Sequence, residues 1–63
     1  MRYIITAMFN GDRIYYARPG RSFEAHDAMQ FLNIERAQER AKELRADIAR
    51  WHRVNWRVES VEN

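Results

Sequence analysis

The stretch from Asn33 to Arg53 constrains the fold more than any other part of the chain. Its apolar residues follow one another at steps of 3, 4, 3, 4 and 3 positions, at Ile34, Ala37, Ala41, Leu44, Ile48 and Trp51. Because an α-helix repeats every ~3.6 residues, this spacing places all six side chains on one side of a helix. The opposite side is almost wholly charged. A helix of this kind needs an apolar surface to cover, which the remaining residues must supply.

The N-terminal residues predict a β-hairpin. From Arg2 to Phe9 the side chains alternate between two sets, as is typical of a strand. Asn10-Gly11 follows, and this dipeptide favours a two-residue type I′ turn because both residues tolerate positive φ. Arg13 to Ala17 is then the return strand, and the turn pairs Ala7 with Ile14.

The two faces of this hairpin differ in composition. One face carries Tyr3, Ile5, Ala7, Phe9, Ile14 and Tyr16. The other face carries Ile4, Thr6, Met8, Arg13, Tyr15 and Ala17. The first set has no charge in its middle, so we expect it to lie under the helix. A three-residue loop that included Asp12 would change the pairing, and a slip of one residue would exchange the faces.

The segment between hairpin and helix is ambiguous. Arg18 to Ser22 is expected to be a loop, with Pro19-Gly20 at a turn. Ala28 to Leu32 is interpreted as a short third strand, because Asn33 is a good N-cap for the following helix. In the alternative interpretation, the helix begins near Glu24.

The last strand is predicted over Val54 to Val61, where valine and tryptophan alternate with polar residues. Together the elements predict an α+β fold of two layers, in which a mainly antiparallel sheet of three or four strands, starting with the β-hairpin, carries one long amphipathic helix on one face. All 63 residues are expected to form a single ββ(β)αβ domain. If the third strand exists, a right-handed crossover through the helix is expected to place the last strand parallel to a neighbour.

The predicted core joins one side of the helix to the sheet face beneath it. It consists of Tyr3, Ile5, Ala7, Ile14, Tyr16, Phe31, Ile34, Ala37, Ala41, Leu44, Ile48, Trp51, Val54, Trp56 and Val58. A domain of this size buries only ~60% of the surface that its unfolded chain exposes. The chain has no cysteine, so neither a disulfide nor a thiolate metal site supplements this core.

No motif in the sequence carries catalytic chemistry. His26 and Asp27 are adjacent, so on a strand they would point to opposite faces and could not form a base and its orienting partner. The only glycines are Gly11 and Gly20, which rules out the patterns of phosphate-binding loops. The two histidines are too far apart in sequence to make a metal signature. We therefore expect a protein that is not an enzyme, with no catalytic residue, cofactor or metal ligand.

The second hairpin face gives the strongest indication of function. One helix covers one face of a sheet, and Ile4, Met8 and Tyr15 make the other face too apolar for plain exposure to water. Methionine and tyrosine are frequent at protein interfaces. With Arg13, these residues form the predicted interaction surface. We expect a small non-catalytic interaction domain that binds a protein partner or a second copy of itself through this face.

The alternative function is nucleic-acid binding. All basic residues except Lys42 are arginine, which suits bidentate contacts to phosphate but is also what a GC-rich coding sequence produces. Tyr15 beside Arg13 could then combine base stacking with phosphate contacts. The net charge is only +2, because nine acidic residues dilute the positive field. Neither a signal peptide nor an apolar run of ~18 residues is visible, so we expect a soluble cytoplasmic protein with no membrane contact.

Three segments carry a resemblance to known proteins: Met1-Arg2-Tyr3-Ile4-Ile5, then Ala28-Met29-Gln30-Phe31 leading into Asn33-Ile34-Glu35-Arg36-Ala37, and the closing valine-rich strand. Their order resembles small ββ(β)αβ proteins of bacterial and phage genomes, most of which have no assigned function. The N-terminal two-thirds is also similar to the partial ribonuclease-H-like fold of Hic-type antitoxins, which bind a toxin ribonuclease and often DNA. Their Pro-Gly-Cys segment corresponds here only to Pro19-Gly20 followed by Arg21, and their separate DNA-binding part is missing. No functional residue carries over from either group.

Overall fold

The computed structural model describes residues 2–17, 20–47 and 54–61. In chain order the elements are the strands β1 (Arg2–Phe9), β2 (Asp12–Tyr16) and β3 (Arg21–Ser22), a short 3₁₀ helix (Ala25–Asp27), the helix α1 (Ile34–Ala46) and the strand β4 (Arg57–Val61). The strands form one sheet in the order β3-β2-β1-β4, with every neighbouring pair antiparallel. Because α1 packs on one face of this sheet, the predicted two-layer α+β fold is confirmed.

The β1–β2 hairpin has the register that its turn predicts. Asn10 has a φ of 52° and Gly11 a φ of 84°, so both central residues are left-handed as a type I′ turn requires. Ala7 pairs with Ile14 as a result. The face that contains Ile5 and Ile14 is the buried one, as the distribution of charge predicts.

The core lies between α1 and the strands beneath it. Its largest fully buried side chains are Trp56, Ile5 and Ile14. The Tyr16 ring meets the Trp56 ring edge-on, with centroids 6.3 Å apart and planes at 83°. From α1, the buried residues are Ala37, Ala41 and Leu44.

One predicted core residue is wrong, and two lie outside the described residues. Ile34 is 42% exposed. As the first residue of α1 it stands at the end of the apolar stripe, so the helix buries a shorter stripe than its periodicity predicts. Ile48 and Trp51 fall in the range 48–53, which the structure does not describe.

The helix begins where the sequence predicts and ends earlier. The Asn33 side chain accepts a hydrogen bond from the Glu35 backbone N–H at 2.8 Å, which makes it the N-cap and excludes the alternative start near Glu24. The periodicity predicts a helix up to Arg53. The helix α1 ends at Ala46, where Asp47 leaves the helical region with φ −85° and ψ 71°, and residues 48–53 lie outside the described part of the chain. Aspartate is a weak helix former, and its charge is unfavourable at the negative end of the helix dipole.

The predicted third strand at Ala28 to Leu32 is wrong. Within that segment the pairing is an isolated bridge, in which Phe31 and Tyr3 exchange two backbone hydrogen bonds of 2.8 Å. The third strand is instead β3, in the segment that the sequence predicts as a loop. The Ala17 N–H donates to the Gly20 carbonyl at 3.0 Å, which turns the chain back along β2. Two residues are too few to show a strand periodicity.

The last strand is antiparallel to its neighbour β1, so the predicted parallel neighbour is wrong. Tyr3 pairs with Ser60 on one side and bridges Phe31 on the other. The segments before and after α1 are therefore parallel to each other, as a crossover through a helix requires, but β1 lies between them. The strand itself begins at Arg57 rather than at Val54, although Val54 and Trp56 are buried.

Replacing Leu44 by alanine is expected to reduce the free energy of unfolding by about 2–5 kcal/mol, because the change leaves a cavity under α1. Leu44 is 8% exposed, whereas Leu32 is 79% exposed. Leu32→Ala removes the same atoms at an exposed position and should change the unfolding free energy by less than about 0.5 kcal/mol. Chemical denaturation followed by circular dichroism measures both variants. Equal losses would contradict the assigned helix face.

Candidate functional site

The helix-free face is the surface of the sheet opposite α1. The strand register places on it Arg2, Ile4, Thr6 and Met8 from β1, Arg13 and Tyr15 from β2, and Arg57, Glu59 and Val61 from β4. Thr6 lies at its centre, since it pairs with Tyr15 on one side and with Arg57 on the other.

The four predicted interaction residues share this face but differ in accessibility. Met8 is 62% exposed, and the side chain of Arg13 is 48% exposed. Tyr15 is half-buried. Ile4 is only 9% exposed, so it supports the face without offering contact surface. The apolar patch is therefore smaller than the sequence predicts and is centred on Met8 and Tyr15.

A polar network that sequence reasoning missed occupies the middle of the face. Thr6 Oγ1 donates to Glu59 Oε2 at 2.6 Å, and Arg13 Nη2 donates to both oxygens of the same carboxylate. Thr6 is 3% exposed, so its hydroxyl group needs a partner within the protein. The alternation of the hairpin already puts Thr6 and Arg13 on one face. The pairing of β4 with β1 is what brings Glu59 to them.

Arg13 is held from two directions. Its guanidinium pairs with Glu59, and its Cζ atom lies 5.6 Å from the centroid of the Tyr15 ring. That distance is within the range of a cation–π contact. Both the arginine and the ring are thereby held in place at the surface.

The network fixes the charges of its members. Hydrogen bonding from the Thr6 hydroxyl lowers the pKa of Glu59, and the hydrogen bond and charge of Arg13 and the charge of Arg57 act in the same direction. Partial burial of the carboxyl opposes this shift but does not outweigh it. Hydrogen bonding to Glu59 is the largest cause that raises the pKa of Arg13. The centre of the helix-free face is thus an ion pair at neutral pH.

A second polar cluster surrounds the 3₁₀ helix. Ser22 Oγ donates to Asp27 Oδ2 at 2.8 Å, and His26 Nε2 is 3.4 Å from Asp27 Oδ1. His26 and Asp27 lie on a 3₁₀ helix and not on a strand, so the condition under which they would point to opposite faces is not met. The serine hydroxyl donates to the carboxylate, and the His26 side chain is 77% exposed. This arrangement closes the loop and does not pair a nucleophile with a base.

Comparison of the chain with models of protein families, with curated proteins and with solved structures returned no match. The resemblances to small bacterial and phage proteins and to Hic-type antitoxins therefore stay predictions. Within residues 2–17, 20–47 and 54–61, no group of three or more His, Cys, Asp or Glu side chains is placed to hold a metal ion. In the same part of the chain, no helix combines the length and the apolar character needed to cross a membrane.

The lowered pKa of Glu59 makes part of the stability depend on pH. Because the pKa in the folded state lies below the unfolded value of about 4.3, the stabilisation is complete above that pH and is lost as the pH falls through the folded pKa. Glu59→Gln should lower the melting temperature at neutral pH and flatten its decline under acid, measured by thermal unfolding from about pH 6 to about pH 3. Glu39→Gln on the exposed side of α1 leaves the network intact and should retain the wild-type slope. An unchanged slope in Glu59→Gln would contradict the role of the network.

Proposed function

We propose that the protein is a small non-catalytic interaction domain that binds a partner protein through the helix-free face. The observation that supports this is the Thr6–Glu59–Arg13 network, fixed next to the exposed Met8 and the half-buried Tyr15. Aromatic residues, methionine and arginine are enriched where proteins meet, and here all three types adjoin one another.

The order of this surface favours binding. An arginine side chain that is free in solution loses considerable rotamer entropy when a partner immobilises it. Arg13 is already restrained by Glu59 and by the Tyr15 ring. The rotamer entropy of Arg13 is therefore already lost when the protein folds, so a partner that contacts Arg13 loses less affinity by ordering it. Met8 beside it has a flexible side chain that adapts to an apolar pocket.

The charges of the face support a protein partner better than a nucleic acid. The Glu59 carboxylate lies at the centre, neutralises Arg13 and would repel a phosphate backbone. Arg13 also lies near the Tyr15 ring, where a base would have to stack. A protein surface can present both signs of charge, and so can match Arg57 and Glu59 together.

Site-specific photo-crosslinking tests the proposal. A photoreactive amino acid replaces Met8 in one variant and Glu39, on the exposed side of α1, in the other. Each full chain is expressed in cells of its native source and irradiated. We expect a protein adduct that forms from position 8 and not from position 39. Adducts to nucleic acid at position 8 would favour the alternative function, and identical adducts from both positions would refute the assigned face.

Tyr15→Ala is expected to weaken partner binding by about tenfold, equivalent to ~1.4 kcal/mol, because it removes both the ring and the restraint on Arg13. The yield of the position 8 adduct reports binding, and a thermal melt reports the fold. Phe23→Ala is the matched control, since Phe23 is a 59% exposed aromatic residue that belongs to none of the strands of the sheet. It should leave the adduct unchanged. A Tyr15→Ala chain that no longer folds would instead assign Tyr15 to the core.

A further inference from the structure

We propose that two copies of the chain pair antiparallel through the outer edge of β4, with the two-fold axis at Val58. The pairing would join the two sheets into one continuous sheet. This inference concerns the edge of the sheet and does not rest on the function proposed for its face. A second copy is the occupant that the charges of β4 fit.

The two edges of the sheet are unequal. β3 is a two-residue strand, and a short edge strand gives another chain little to pair with. β4 has five residues, Arg57–Val61, without proline or lysine to blunt it. Within the described parts of the chain, no strand pairs with its outer side.

The orientation of the backbone along this edge follows from Tyr3. Both the N–H and the C=O of Tyr3 bond to Phe31, on the side of β1 away from β4. In antiparallel pairs the residues alternate between bonding to the neighbour and turning away from it. Ser60, opposite Tyr3, and Val58, opposite Ile5, therefore direct their N–H and C=O groups outward. These four groups form the open edge.

A side chain of α1 satisfies the backbone at the start of this edge. Arg45 Nη1 donates to the Trp56 carbonyl at 2.7 Å, just before β4 begins. A groove of about 500 Å³ lies between α1 and the start of β4, with Gln38, Arg45 and Val58 among its lining residues. A strand added to β4 would place its helix-side side chains next to this groove.

Charge selects one register among those that the backbone allows. Two strands can bond only where residues with outward-pointing N–H and C=O groups lie opposite each other. This condition allows a two-fold axis at Val58, Glu59 or Ser60. An axis at Glu59 places this carboxylate opposite its own copy, which is destabilising. An axis at Ser60 overlaps less of the strand. An axis at Val58 lets the Val58 N–H and C=O groups of the two copies bond to each other, and it places Arg57 of each copy opposite Glu59 of the other. Ser60 then lies opposite Trp56, whose carbonyl already accepts from Arg45, so the backbone bonds of this register come from Val58.

The two sides of the proposed pairing also match in polarity. Val58 is half-buried against the core, and at the axis it would meet Val58 of the second copy on the helix side. Arg57 is exposed on the helix-free face, where it is free to approach the second carboxylate. Hydrogen bonds between the two strands supply affinity, and the side chains fix the register.

Charge reversal with a measurement of solution mass tests the register. The 63-residue chain should show a concentration-dependent mass approaching twice 7.7 kDa. Arg57→Glu and Glu59→Arg each place like charges opposite one another and should raise the dissociation constant at least about tenfold. Because Glu59→Arg also removes the bonds to Thr6 and Arg13, a thermal melt establishes that each variant is folded, and Arg57→Glu is the decisive variant. A mixture of the two variants restores both ion pairs, as does the double variant in one chain. Dimerisation should return in both. A dimer that survives in Arg57→Glu would overturn the register.

Hydrogen exchange on the unmodified chain tests the edge without any substitution. The Val58 amide points outward, so it should exchange rapidly when dilute and become protected as the concentration rises to about 1 mM. The Ala7 amide, which pairs with Ile14 inside the sheet, is the internal control and should stay protected throughout. The proposal would be overturned by a monomer mass up to that concentration, or by a Val58 exchange rate that does not change with protein concentration. Tyr15→Ala should leave the solution mass unchanged. If this variant no longer forms a dimer, the two copies pair through the helix-free face and the proposed pairing through the β4 edge is overturned.

Discussion

The pairing of β1 with β4 is the interaction on which the rest of the structure depends. It joins the two ends of the chain, with Arg2 opposite Val61 and Thr6 opposite Arg57. It places Trp56 in the core and Glu59 at the centre of the helix-free face. Both faces of the sheet are therefore completed by one contact between distant segments. Because loop closure precedes such contacts, their formation is expected to be the slow part of folding.

The way in which α1 packs is expected to leave this small domain with little stability to spare. Two of its three buried residues, Ala37 and Ala41, are alanines, and Leu44 is the one large side chain. Alanine lets a helix approach a sheet closely but buries little apolar surface of its own. The bulk of the core comes from the sheet side, through Trp56, Ile5 and Ile14. A second copy that binds only the folded chain would add stability by mass action, which gives the proposed edge pairing a physical benefit.

The parts of the fold that could be predicted from the sequence are those that depend on residues close together in the chain. Asn10-Gly11 determines a turn by its own backbone preferences, and Asn33 determines a helix start by its own side chain. The strand β3 and the direction of β4 depend instead on how distant segments meet. The same distinction applies to the site, since alternation along β1 and β2 identifies Met8, Arg13 and Tyr15. Glu59 joins them only through the strand order, for which the sequence carries no local signal.

Glu59 links the two proposed surfaces. A carboxylate has about four lone-pair sites, so it can accept from Thr6 and Arg13 and still receive Arg57 of a second copy. The dimer would then place two helix-free faces side by side on one sheet, each with its own Met8 and Tyr15. A partner with two matching sites would bind such a pair more tightly than a single face, because its second contact is intramolecular. Protonation of Glu59 would weaken both the edge and the face, so a single carboxylate would make assembly and partner binding respond together to acid.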